Sequence, residues 1–147
     1  MKVTIYNLNE KADNQLAFAV IIAKFEAKYL FVQHKNRSTL EIPGGHREAH
    51  ESILTCAQRE LYEETGALDY SIDPLFVYGV QKDNQEEDFG LVFFAEILEL
   101  EPQLHFEISK LHYLDSAPKN WTYPQIQPKL FTQYLTKHDK NHRLGDC

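Results

Sequence analysis

Apolar residues recur along this chain mainly in short, dense runs, which read as strands. Lys2 to Tyr6 is a short strand, and Leu16 to Phe25, rich in branched and aromatic residues, reads as a longer buried one. Glu26-Ala27-Lys28 is a turn, and Tyr29 to Gln33 returns as its hairpin partner. Leu40 to Ile42 is a short strand running into Pro43-Gly44-Gly45, a turn signal. The rhythm then changes. Glu51 to Thr65 predicts a helix, with Ser52 as its cap and Gly66 as its stop. Leu54, Ala57 and Leu61 form its packing stripe. Strands follow at Tyr70 to Val80, broken near Pro74, at Phe89 to Leu100, and within His105 to Leu114. Pro124 opens a last helix to about Lys137, with Leu130, Phe131, Tyr134 and Leu135 at helical offsets. This order predicts an α/β (α+β) fold with a mixed β-sheet between helices. Residues 1–138 are expected as one domain and 139–147 as a polar tail.

Length and charge narrow the picture. A chain of 147 residues can bury a real core. Its formal charge of −7 disfavours long nucleic acid as a partner, because phosphate binding needs a basic face. It leaves room for a small phosphate-containing ligand whose charge a metal ion offsets. Two cysteines, Cys56 and Cys147, make no disulfide framework, which points to a reducing cytoplasm. The longest apolar run, Leu16 to Ala23, is too short to span a bilayer, and no signal-peptide plan opens the chain. Monomer and homodimer both remain open.

The predicted central helix carries the chemistry. At 100° per residue, Glu60, Glu63 and Glu64 fall within about one quadrant of its surface. One face can therefore pack on a sheet while the adjacent face gathers carboxylates. Clustered carboxylates repel unless a cation neutralises them, and hard oxygen ligands suit Mg²⁺ or Mn²⁺. A glycine pair lets backbone approach such a cation closely. Any single glutamate pair here reads first as solvated surface, and Arg59 with Glu63 as an ordinary i,i+4 pair. Only the joint pattern points to a site.

That joint pattern is Gly45, five residues, Glu51, seven residues, Arg59-Glu60-Leu61, one residue, Glu63-Glu64, one residue, Gly66. It resembles the Nudix box of the Nudix hydrolases (MutT-like). Ala67 stands where a larger aliphatic residue is usual, Ala49-His50 where Pro-Gly is common, and Cys56 where alanine is frequent. The resemblance implies a Nudix fold and hydrolysis of a nucleoside diphosphate linked to another group. It implies Glu60, Glu63 and Glu64 as ligands of Mg²⁺ or Mn²⁺, with Gly45 contributing its backbone carbonyl after Gly44. Arg59 would orient the glutamates, and Glu51 would hold Arg59. A divalent ion lowers the pKa of water and offsets leaving-group charge, and a nearby carboxylate takes the proton. For that base, Glu64, Glu107 and the Glu86-Glu87-Asp88 cluster all stand as candidates.

Residues outside the box choose the substrate. Lys35 and Arg37 could reach phosphates, or be plain surface charge. Phe18, Tyr78, Phe93 and Trp121 could stack on a base, although strand aromatics are usually core. Trp121 is the best exception, on an expected loop rim. Cys56 falls near the glutamates by azimuth, with a packed thiol as its ordinary role. His138 and His142 are a weak i,i+4 pair. Signatures of enzymes acting on ADP-ribose, dinucleoside polyphosphates or coenzyme A are absent. The reading therefore favours a nucleoside triphosphate, oxidised or not, cleaved to monophosphate and pyrophosphate. Alternatives are a nucleotide sugar, a dinucleoside polyphosphate, an RNA 5′-triphosphate, or a nucleotide sensor without turnover.

Overall fold

Alternation within the first long strand explains the layering. In a computed structural model describing residues 1–102 and 108–139, β1 (Lys2–Tyr6) precedes β2 (Leu16–Phe25). Side chains alternate across a strand. Ala19, Ile21 and Ala23 of β2 enter one apolar cluster, and Val20 and Ile22 enter another. A strand buried on both faces needs a helix on each side. The first cluster is closed by α1 (Ile53–Thr65) through Ile53, Cys56, Ala57 and Leu61. The second is closed by α2 (Gln127–Lys137) through Leu130, Phe131 and Tyr134.

The remaining strands are β3 (Lys28–His34), β4 (Gly44–His46), β5 (Ala67–Gln81), β6 (Asp88–Leu100) and β7 (Ile108–Leu114). Their order is β1-β5-β6-β2-β3-β7, with β4 attached to β2. Among the described strands only β2 and β6 pair in parallel, so the sheet is mixed, as expected. No helix among the described residues is long and apolar enough to cross a membrane.

One edge of β2 splits. Its C-terminal end pairs with β3 (Lys24 with Tyr29), whereas its N-terminal end pairs with β4 (Phe18 with His46). The segment 40–46 wedges between. Glu41 bridges Val32 of β3, and Ile21 of β2 donates its amide to the Pro43 carbonyl at 2.8 Å. This split places the glycine pair and Glu41 over α1.

Several boundaries differ from the sequence reading. Leu40 to Ile42 forms isolated bridges rather than a strand, because the wedge pairs alternately with β3 and with Trp121. The two glycines of the expected Pro-Gly-Gly turn lie in extended strand instead. Glycine is required there for space, since a Cβ on Gly44 would collide with the Ala19 carbonyl oxygen. β5 runs unbroken past Pro74, absorbing it in a register shift between Pro74 and Phe76. α1 starts at Ile53, with the Ser52 side chain capping Thr55 N at 3.1 Å, and it ends at Gly66 with φ 77°. α2 starts at Gln127, after a turn through 123–126. Leu54, expected in the packing stripe, is 44% exposed, and Ile53 and Cys56 take its place. Asp139, where the tail was expected to begin, is buried and accepts from the Tyr29 hydroxyl at 3.2 Å.

Candidate active site

Arg59 organises the acidic face of α1. Its Nε donates to Glu51 Oε2 at 2.5 Å and its Nη2 to Glu51 Oε1 at 3.0 Å, a two-pronged clamp. Nη1 reaches Glu60 Oε1 at 2.6 Å and Glu63 Oε2 at 3.3 Å, and Nη2 also reaches the His46 carbonyl at 3.1 Å. One guanidinium thereby ties the loop before α1 to two glutamates on it. The electrostatics follow. Hydrogen bonding from Arg59 holds the Glu51 carboxyl down at about 2. Hydrogen bonding to Glu51 raises the Arg59 pKa further.

Glu60 behaves oppositely. Burial, then the neighbouring Glu64 charge, pushes its carboxyl up to about 7 despite Arg59. Burial also raises Glu64, whose Oε1 accepts from the Gly44 amide at 2.7 Å. A Cβ on Gly45 would collide with the Glu60 carboxylate, so glycine is what lets β4 lie against it. The Gly45 carbonyl faces the same helix, accepting weakly from the Cys56 thiol at 3.8 Å. Cys56 is fully buried, and burial pushes its thiol up to about 11. Excess negative charge beside close backbone is a donor set that a divalent cation fits. Glu60, Glu63, Glu64 and the Gly45 carbonyl are the groups that would hold it.

A second ring of side chains, which sequence reading did not name, surrounds Glu64. His34 Nε2 lies 3.1 Å from Glu64 Oε2 and 3.1 Å from Glu41 Oε1. Its hydrogen bond to Glu64 raises the imidazole pKa against opposing burial. Alternation held the signal for both residues. Leu30 packs toward α1, so His34 four residues on shares its face. Leu40 and Ile42 pack toward α2, which turns Glu41 the other way.

Two cavities open on this cluster. One, of about 620 Å³, is lined by His34, Lys35, Asn36, Arg37, Glu41, Gly44, Glu64 and Tyr123. The other, of about 310 Å³, has an apolar wall that includes Phe18, Val20, Ile42, Tyr78 and Val80. They meet at Glu41, Gly44 and Tyr123. Phe18 and Tyr78 stack at 6.1 Å between centroids. Gln127, also absent from the sequence reading, lines the smaller cavity with its Oε1 held by the Ile42 amide at 2.8 Å.

The sequence-predicted residues thus divide. Gly44, Gly45, Glu51, Arg59, Glu60, Glu63 and Glu64 converge. Lys35 and Arg37 line the larger cavity, and Tyr78 and Phe18 the smaller. Trp121 lines neither. Its indole packs edge-on against Phe31 at 5.7 Å and near Phe131, because its backbone bridges Leu40. Tyr123, two residues on, takes the rim. Phe93 is core. Glu87 accepts from the Tyr6 hydroxyl at 2.7 Å, Glu86 is exposed, and Asp88 lines the smaller cavity. Glu107 and His142 lie outside the described residues. His138 stacks on Phe76 at 5.4 Å.

A carboxylate cluster clamped by arginine, set between a glycine strand and a helix and opening on a polar and an apolar cavity, fits a hydrolase of phosphorus-containing anhydrides. The chain belongs to the Nudix family, whose NUDIX domain model matches residues 13–136. It is 30% identical over 118 residues to a Lactococcus lactis subsp. cremoris protein named a probable DHNTP pyrophosphohydrolase, covering 74% of this chain and 70% of that one. A Bacillus subtilis candidate 8-oxo-dGTP diphosphatase is 34% identical over 101 residues, covering 68% of this chain and 63% of that one. Among solved structures, a point mutant of the Bacillus subtilis pyrophosphohydrolase BsRppH superposes with a TM-score of 0.70 at 25% identity, covering 97% of this chain and 85% of that chain.

Proposed function

We propose that this enzyme is a divalent-metal-dependent pyrophosphohydrolase that cleaves a nucleoside triphosphate, oxidised or not, to the monophosphate and pyrophosphate. The observation that carries the reading is the junction of the two cavities at Gly44, beside Glu64. A nucleotide with its base between apolar walls and its phosphates in the polar cavity would present its anhydride to the glutamates there. The names of the Lactococcus and Bacillus relatives support the same reaction type.

A divalent ion held by Glu60, Glu63, Glu64 and the Gly45 carbonyl would supply charge neutralisation and Lewis acidity at the bridging phosphates. The chain's own residues do the rest. Arg59 gathers and aims the carboxylates of Glu60 and Glu63, so that little reorganisation is needed during the reaction. Lys35 and Arg37 add positive charge along the polyphosphate, and Arg37 can bind it through two parallel hydrogen bonds. Phe18 and Tyr78 supply the surface against the base. Glu64, whose Oε1 accepts from the Gly44 amide, would take the proton of an attacking water.

The test is a panel of nucleoside triphosphates, oxidised triphosphates, nucleotide sugars and dinucleoside polyphosphates, assayed with Mg²⁺ and with product analysis. Monophosphate plus pyrophosphate from a triphosphate is expected. Glu63→Gln should lower kcat by roughly a hundredfold or more. Release of orthophosphate alone, or turnover of only the sugar or dinucleotide substrates, would overturn the triphosphate assignment. An unchanged rate in Glu63→Gln would overturn the mechanism.

A further inference from the structure

The ring formed by His34, Glu41 and Glu64 is not needed to explain the glutamates of α1, and its composition differs from theirs. One imidazole nitrogen and two carboxylate oxygens lie within 4.8 Å of one another. Glu41 and Glu64 are buried, with side chains 10% and 9% exposed, at the floor of the 620 Å³ cavity. Glu41 Oε2 is buried without a hydrogen-bond partner, and the Arg37 guanidinium stands off from it, with Nη1 at 3.6 Å. A buried carboxylate oxygen left unsatisfied is costly, and so are two buried carboxylates side by side. His34 Nε2 spans both carboxylates but can bridge them only by a proton. A metal ion in that place would satisfy both carboxylates and the nitrogen together.

We propose that His34, Glu41 and Glu64 form a mixed nitrogen–oxygen site for a first-row transition ion, distinct in its selectivity from the all-oxygen set of Glu60, Glu63 and the Gly45 carbonyl. The two sets share Glu64. The imidazole decides the selectivity. Mg²⁺ favours oxygen and keeps its waters, Mn²⁺ also favours oxygen but tolerates an imidazole among its ligands, and the later divalent ions take imidazole readily. On binding, the proton on Nε2 leaves to solvent and the nitrogen lone pair turns to the ion. The wedge at 40–46 makes the site possible, because only the splitting of β3 from β4 lets Glu41 face α1. These three side chains make up the site whatever the substrate.

Mn²⁺ binding to the metal-free protein, without nucleotide, tests it. Titration calorimetry should show Mn²⁺ bound at least tenfold more tightly than Mg²⁺. His34→Gln should lower Mn²⁺ affinity tenfold or more and leave Mg²⁺ affinity within about twofold. Pulsed electron paramagnetic resonance should show coupling from one imidazole nitrogen to bound Mn²⁺, lost in His34→Gln. Glu41→Gln should also weaken Mn²⁺ while its melting temperature without metal is kept or raised, which separates ligation from misfolding. Equal loss of Mg²⁺ and Mn²⁺ in His34→Gln would overturn the proposal, and so would the absence of nitrogen coupling in the wild type. Mg²⁺-dependent hydrolysis that survives in either case would leave the proposed function standing.

Discussion

Arg59 is the side chain on which the acidic face depends. It bonds Glu51, Glu60 and Glu63 at once, and its own side chain is only 22% exposed. Arg59→Ala leaves those carboxylates without their partner, and a loss of about 3 kcal/mol in urea unfolding is expected. Arg59→Lys should recover only part of it, since an ammonium cannot reproduce the fork. The same cluster sets the pH response of the metal-free protein. Glu60, raised to about 7, takes up protons on folding between its unfolded value and 7. Glu64 and His34 are also raised, so each favours the protonated native state. Stability without metal should therefore fall as pH rises from about 5 to above 7. Glu51, held at about 2, acts in the opposite sense, and its contribution is lost as pH falls from about 4 toward 2. Melting temperature against pH should peak near pH 5, and a divalent ion should flatten the alkaline side. A peak above pH 7 without metal would contradict this account.

Among the elements, β4 separates two kinds of glycine requirement. A Cβ at Gly44 would meet backbone, the Ala19 carbonyl and the Val20 Cα. Backbone in the middle of a sheet cannot step aside. Gly44→Ala should cost about 3 kcal/mol or more and show in the unfolding midpoint. A Cβ at Gly45 would meet the end of the Glu60 side chain, which can rotate. Gly45→Ala should stay folded, within about 1 kcal/mol of the wild type, yet lose divalent-ion affinity tenfold or more by calorimetry. Similar losses of stability in both would argue against the contact. The glycine pair was visible in the chain, but its reason was not. Pro-Gly-Gly signals a turn locally, and only pairing of 44–46 with β2 shows that space, not a turn, demands the glycines. α1 was far more legible. Ser52, Gly66 and the spacing of Ala57, Leu61 and the glutamates depend on contacts within a few residues. Leu54 misled because one stripe can be drawn through several azimuths, and only the position of the sheet selects among them.

Across the whole molecule, the proposed function divides between two cavities that meet at Glu41, Gly44 and Tyr123. The apolar one contains Phe18 and Tyr78, and the polar one contains His34, Lys35, Arg37 and Glu64. Substitution in the apolar one should weaken substrate binding without touching the chemistry. Phe18→Ala should raise KM by roughly five- to a hundredfold, the worth of about 1–3 kcal/mol of base stacking, with kcat held within a few-fold. A fall in kcat at constant KM would place Phe18 elsewhere in the mechanism. Trp121 shows why such residues resist sequence reading. Its loop-like surroundings suggested a rim, but the backbone bridge to Leu40 turns the ring onto Phe31, and Tyr123 occupies the opening instead.

The chain's order of residues determined what is local. The helix that carries the glutamates, the arginine within reach of them, the longer strands of the sheet and the family to which they belong follow from spacings of a few residues. Tertiary structure decided what is distant. His34, Glu41 and Glu64 are separated along the chain and meet because β2 pairs with two strands on one edge, opening a gap that 40–46 fills. Which side chains border the cleft depends on that gap and on how α2 closes it. Pairing across a sheet is a long-range choice, made by the packing of the whole core rather than by any stretch of sequence.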